Sequence, residues 1–195
     1  MFTPTPFYFL RHGETDWNKL RLMQGQTDTP LNTTGIFQAE SVAQVIAKRN
    51  IATIVTSPLR RAKHTADIVA KQLPGAKIVE LDGLKESHFG SYEGHPSGPW
   101  RDEWLRGAEL PGGELYADFL ERSLSAINAA LEQPGPVLII SHGGVFYAIR
   151  KWALNNANFR PGNCELIAMA PPKAADDDWK MKRVFTPEGL DAALV

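Results

Sequence analysis

Cysteine is nearly absent from this chain: one residue, Cys164, in 195. A single thiol forms no internal disulfide, which fits a reducing compartment. An excess of either charge is also missing, with 21 Lys and Arg against 22 Asp and Glu. That balance calls for neither nucleic acid nor an anionic membrane. No uncharged apolar run reaches the ~18 residues of a membrane span. Residues 1–6 lack the basic start and apolar core of a secretory leader. These absences set the expectation of a cytoplasmic protein with no nucleic-acid and no membrane partner. Internal repeats and low-complexity tracts are missing too. So are His-x-His pairs, cysteine pairs and carboxylate clusters beside the histidines, so no metal and no cofactor is expected.

What is present suits one domain with a sizeable core. Hydrophobic residues make up 43% and charged residues 22%, near the average for a globular protein. Short apolar runs at residues 7–10, 52–56, 77–81, 137–140 and 166–170 read as strands, with an edge strand at 179–185. Residues 12–33 read as loop. Helices are predicted from Thr33 or Thr34 to about Arg49, and from Ser57-Pro58 to about Gln72. Two more run from Leu115 to Leu131 and from His142 to about Leu154. The last ten residues read as a loose tail. Strands alternating with helices imply an α/β three-layer sandwich with a mostly parallel central sheet. One catalytic domain over 1–195 is expected, with a small lid at about 87–131. Many Gly and Pro between 82 and 114 mark the longest irregular section.

Ligands of such sheets bind beyond the carboxyl ends of the strands. Three strands end in Arg11-His12-Gly13, Thr56-Ser57-Pro58 and Ser141-His142-Gly143, so one crevice collects Arg11, His12, Arg61 and His142. Guanidinium forks suit a tetrahedral dianion. The glycines after His142 open a helix and expose N–H groups to an anion. A neutral imidazole among arginines, its pKa depressed by them, is a phosphoryl acceptor. A second imidazole would stay protonated once the dianion binds.

Leu10-Arg11-His12-Gly13-Glu14-Thr15, with Trp17-Asn18 after it, resembles the signature of the histidine phosphatase superfamily, phosphoglycerate mutase-like branch. Ser57-Pro58-Leu59-Arg60-Arg61-Ala62, the block Glu86 to Gly94, and Ser141-His142-Gly143-Gly144 resemble its other blocks, in order. The resemblance implies a phosphohistidine nucleophile at His12. Arg11, Arg61 and His142 would complete the phosphate pocket. It chooses Arg61 over Arg60, and Glu86 over Glu80 and Glu93 as general acid and base. Asn18 and the Gly143 backbone are further phosphate contacts, and Gln24 matches a substrate-facing position. Trp100, Trp104 and Tyr116 are expected mainly to pack the lid, with one facing substrate. Only 55 residues (positions 87 to 141) separate Glu86 from His142. A lid that short favours hydrolysis over transfer. The expectation is a metal-independent phosphatase of a small phosphorylated metabolite, as monomer or homodimer. The alternatives are a cofactor-dependent phosphoglycerate mutase and a non-catalytic phosphate-binding regulator.

Overall fold

The computed structural model describes residues 3–154, 159–173 and 177–187. The tail expectation falls from residue 188 onward outside them. Six strands form one sheet in the order β3-β2-β4-β1-β5-β6. They are β1 (Phe7–Arg11), β2 (Thr53–Thr56), β3 (Lys77–Glu80), β4 (Val137–Ser141), β5 (Leu166–Ala170) and β6 (Lys180–Phe185). The first four are mutually parallel; β5 and β6 are antiparallel additions beyond β1.

The strands alternate their side chains between two cores. Phe7, Phe9, Val137 and Ile139 enter one, while Leu10, Leu138, Ile140 and Ile54 enter the other. Period-two alternation with both faces apolar requires cover on both sides. Helices α2 (Thr33–Ile46) and α3 (Arg60–Ala70) cover the second face through Val42, Ile46, Ala66 and Val69. Helices α5 (Tyr116–Leu131) and α6 (Gly143–Ala153) cover the first through Phe119, Ile127, Phe146 and Ile149. This is the expected three-layer α/β arrangement. The strand β4, the most apolar run, lies inside the sheet between β2 and β1.

Three local expectations are corrected. The loop after β1 contains a four-residue helix, α1 (Asp16–Lys19), made by a capping box between Thr15 and Asn18. The cap of α2 is Asn32, whose side chain accepts the Gly35 N–H at 2.8 Å, rather than Thr33 or Thr34. The irregular section holds a further helix, α4 (Pro99–Leu105), with proline in its first turn. Among the described residues no helix is long and apolar enough to cross a membrane.

Register sets up the crevice. Arg11 pairs with Ser141, and Thr56 with Ile140. The ladders run one residue further: His12 N–H donates to the Ser141 carbonyl at 2.9 Å, and Ser57 N–H to that of Ile140 at 3.1 Å. Three strand tips therefore sit side by side.

Candidate active site

Arg11, His12, Ser57 and His142 stand on those tips, and Arg61 enters from the first turn of α3. The His12 and His142 rings have centroids 5.1 Å apart. His12 Nδ1 lies 2.8 Å from the carbonyl of Gly13. A carbonyl only accepts, so Nδ1 carries the proton and Nε2 keeps its lone pair. Burial, then Arg61 and Arg11, hold His12 well below the usual imidazole range, so the ring is neutral.

His142 is also pushed well down, by burial, Arg61, His12 and Arg11. Its Nε2 sits 2.8 Å from Ser57 Oγ. That hydroxyl accepts the Leu59 N–H at 3.3 Å and can give its own proton to His142 Nε2. With that donation the ring proton sits on Nδ1, which is buried and has no partner among the described residues. Ser57 was expected to cap α3. It bonds His142 and the Leu59 N–H instead, and α3, with Leu59 at its N-cap, has no side-chain cap.

Arg61, not Arg60, is the fully buried one. Its guanidinium donates to the carbonyls of Thr27 at 3.0 Å and Gly25 at 2.7 Å. Burial lowers its pKa to about 10, and Glu86, Asp28 and Glu93 oppose the fall, so it remains a cation at neutral pH. Arg11 is lowered by burial against the pull of Glu86, and it donates to the Pro161 carbonyl at 2.9 Å. A fully buried cation, Arg61, and a half-buried one, Arg11, with no bonded carboxylate among the described residues, make a strongly anion-attracting site. The Gly143 N–H opens α6 beside Arg11, whose Nε would lie 3.8 Å from a Cβ at Gly143. The helix start adds positive potential there.

Three acids were in competition. Glu80 is exposed and paired with Lys63. Glu93 is consumed by the loop: it accepts the N–H groups of Gln26, Thr27 and Phe89. This holds the Gly25–Thr27 carbonyls that grip Arg61. Gly25 adopts φ +52, and a Cβ there would fall 2.0 Å from Glu93 Oε1, so the brace demands glycine. Glu86 alone borders the cavity. Its Oε2 accepts the Gly144 N–H at 3.0 Å and its Oε1 that of Ser87 at 2.9 Å.

Asn18 Oδ1 is held by Thr15 N–H at 3.1 Å and by Asn163 Nδ2 at 3.2 Å. Asn163 also donates to the His12 carbonyl at 2.9 Å. Gln24 is buried in the loop after β1. Its Oε1 accepts the hydroxyls of Thr15 and Thr29 at 3.0 and 2.5 Å, which braces the loop. Trp104 and Tyr116 both line the cavity, while Trp100 stacks on Tyr92 at 4.5 Å. The lid thus gives two of those three rings to the cavity, where one was expected.

Sequence reasoning missed Arg122. It donates five hydrogen bonds: two to Glu114, at 2.6 and 2.8 Å, and one each to the carbonyls of Gly83, Lys85 and Glu86. Those carbonyls are the backbone of the acid loop, so Arg122 fixes where Glu86 stands. Ser141 Oγ adds a bond to the Leu84 carbonyl at 2.7 Å, linking that loop to the tip of β4. A charge at helical spacing carries no local sign of such a task. Among the described residues no three His, Cys, Asp or Glu side chains gather as metal ligands.

The assembled groups can bind a tetrahedral dianion, present a neutral imidazole nitrogen to it and offer a carboxyl beside it. The sequence profile of the histidine phosphatase superfamily (branch 1) matches residues 7–185. The chain is 38% identical over 148 residues to the "Uncharacterized phosphatase PhoE" of Bacillus subtilis (strain 168), covering 74% of this chain and 75% of that one. It is 35% identical over 148 residues to the "Probable phosphoglycerate mutase GpmB" of Serratia proteamaculans (strain 568), covering 70% and 68%. A mycobacterial glucosyl-3-phosphoglycerate phosphatase shares the fold with a TM-score of 0.73 and 29% identity. That match covers 92% of this chain and 97% of the other.

Proposed function

The chain belongs to the histidine phosphatase superfamily (branch 1), and on that footing we propose that it is a phosphomonoesterase carrying the phosphoryl group on His12 Nε2. The observation that carries this reading is the Nδ1 bond of His12 to the Gly13 carbonyl. It leaves Nε2 unprotonated in the field of Arg61 and Arg11.

In the first step the dianion lies between Arg11, Arg61, the Gly143 N–H, the Asn18 amide and His142 Nδ1–H. His12 Nε2 attacks phosphorus and the bond to the leaving oxygen breaks. Protonated Glu86 gives its proton to that oxygen. In the second step Glu86, now a carboxylate, takes a proton from water. The water oxygen bonds to phosphorus, the N–P bond breaks, and phosphate leaves. The route uses no metal and no cofactor. The substrate is a small phosphorylated metabolite.

Phosphoryl transfer to a second substrate is the competing reading, favoured by the relative named a probable phosphoglycerate mutase. The short lid between Glu86 and His142 and the relative named a phosphatase support hydrolysis. The two readings separate in one assay. Inorganic phosphate release and phosphoglycerate isomerisation are followed with and without added bisphosphoglycerate. Phosphate release without the additive is expected. Isomerisation that depends on it, with no net phosphate release, overturns the phosphatase reading.

A further inference from the structure

The cavity beyond Glu86 carries features that phosphate chemistry alone does not use. It encloses about 250 Å³ and opens from Arg11, Glu86 and Gly143. Because Glu86 is the proposed donor to the leaving oxygen, the leaving group lies on this side. An apolar cavity of ~150 Å³ already accepts a benzene ring, so a ring with a short substituent fits here. Its walls are aromatic, from Trp104, Tyr116, Phe119 and Phe146 among others. A polyhydroxylated body would leave most of its hydroxyls unpaired against such walls.

The lining also holds Arg101, Arg150 and Arg160, and Glu86 is its only acid. None of the three arginines has a carboxylate partner among the described residues, whereas Arg122 and Arg183 do. Arg150 is partly engaged: it donates to the Phe159 carbonyl at 3.0 Å and lies over the Tyr147 ring. Arg101 stands half-buried on α4, and its side chain has no hydrogen-bond partner among the described residues. Burial and then the charge of Arg160 lower its pKa, against the pull of Glu86. Scattered surface arginines face water singly. Unpaired ones gathered on one apolar cavity make an anion site.

We propose that this cavity is the leaving-group subsite, that it takes a flat apolar body, and that Arg101 and Arg160 hold a second anionic group on that body. The preferred substrate is then a ring-bearing phosphomonoester with a carboxylate or a further phosphate at its far end. This rests on the phosphatase reading above.

The test compares kcat/KM for para-carboxyphenyl phosphate, its neutral isostere para-carbamoylphenyl phosphate, para-phenylene bisphosphate and phosphoglycerate. The carboxylate or the bisphosphate should exceed the neutral ester by roughly tenfold or more, the scale of a charge-assisted bond. Whichever is higher identifies the anion. The preference should fall towards unity in R101Q/R160Q and persist in R106Q, since Arg106 is exposed and outside the lining. Equal rates for charged and neutral esters overturn the anion subsite while leaving the phosphatase reading intact. Phosphoglycerate turning over faster than every aryl ester overturns the apolar body. Failure to hydrolyse any ester counts against the phosphatase reading itself.

Discussion

Replacing Gly144 by alanine separates folding from chemistry. A Cβ on Gly144 would fall 1.9 Å from Glu86 Oε1 and 3.1 Å from the Phe119 ring edge. Gly144 lies in the first turn of α6, away from the positive-φ region. Alanine is the better helix former there by up to about 1 kcal/mol. The atom that must yield first is the end of a flexible side chain. Opposing effects of that size leave stability within about 1 kcal/mol of wild type. Glu86, in contrast, is expelled from its bond to the Gly144 N–H. A displacement of about 1 Å in a reacting geometry lowers the rate on the order of 100-fold. Loss of general-acid help altogether is worth about 10²–10⁴. We expect kcat/KM for an alkyl phosphate to fall on the order of 100-fold, about 2.7 kcal/mol in barrier. The loss should be smaller for para-nitrophenyl phosphate, whose leaving oxygen needs little protonation. Steady-state hydrolysis of both esters, beside a thermal melt, measures this. A folded variant with undiminished turnover of the alkyl ester refutes the placement of Glu86. A variant that fails to fold refutes the packing argument.

Other perturbations read out other parts of the site. R122M removes five hydrogen bonds from the acid loop and Glu114. It should cost about 2–3 kcal/mol in a urea titration and lower kcat on alkyl esters; unchanged kcat would remove Arg122 from the positioning of Glu86. S57A takes the partner from His142 Nε2. NMR of the ring nitrogens should then show the Nδ1–H tautomer lost, with kcat/KM down roughly tenfold; an unchanged tautomer contradicts the assignment. Stability should depend on pH through the two histidines. Both have folded-state pKa values depressed, whereas an unfolded imidazole titrates near about 6.5. Below that pH the unfolded chain binds more protons, so stability present above about 6.5 is lost as pH falls. Two such groups contribute up to about 2.7 kcal/mol per pH unit. Urea midpoints between about pH 7 and pH 5 should fall less steeply in H142N than in wild type, and equal slopes would contradict the buried neutral pair.

The sequence carried more of the phosphate pocket than of its surroundings. Arg11, His12 and His142 are legible because an apolar run ends abruptly in polar residues, and parallel strands bring such ends together. Arg61 and Glu86 needed the family resemblance, since Arg60 and Glu93 look equivalent locally. Only burial and hydrogen bonds separate them. Asn32 capped α2 where Thr33 or Thr34 seemed as able, because three capping residues in a row do not declare their backbone angles. Helix α4 is a seven-residue element inside a Gly- and Pro-rich stretch. Its stability comes from Trp104, which packs on Phe89 and Tyr116 and donates to the Glu114 carbonyl. Ser57, Arg122 and Asn163 act through partners 85, 36 and 151 positions away in the chain. No local pattern encodes such pairs. The bonds of Gln24 Oε1 to the hydroxyls of Thr15 and Thr29 were equally illegible, because its partners lie across a loop.

The central claim is that phosphorus becomes bonded to His12 Nε2. The most direct measurement is a millisecond quench with labelled phosphomonoester, followed by peptide mass spectrometry and phosphorus NMR of the trapped protein. An acid-labile, base-stable phosphoryl group on His12, bonded at Nε2 and absent from H12A, is the predicted result. Full turnover in H12A, or no phosphoenzyme in an active wild-type protein, would contradict the account.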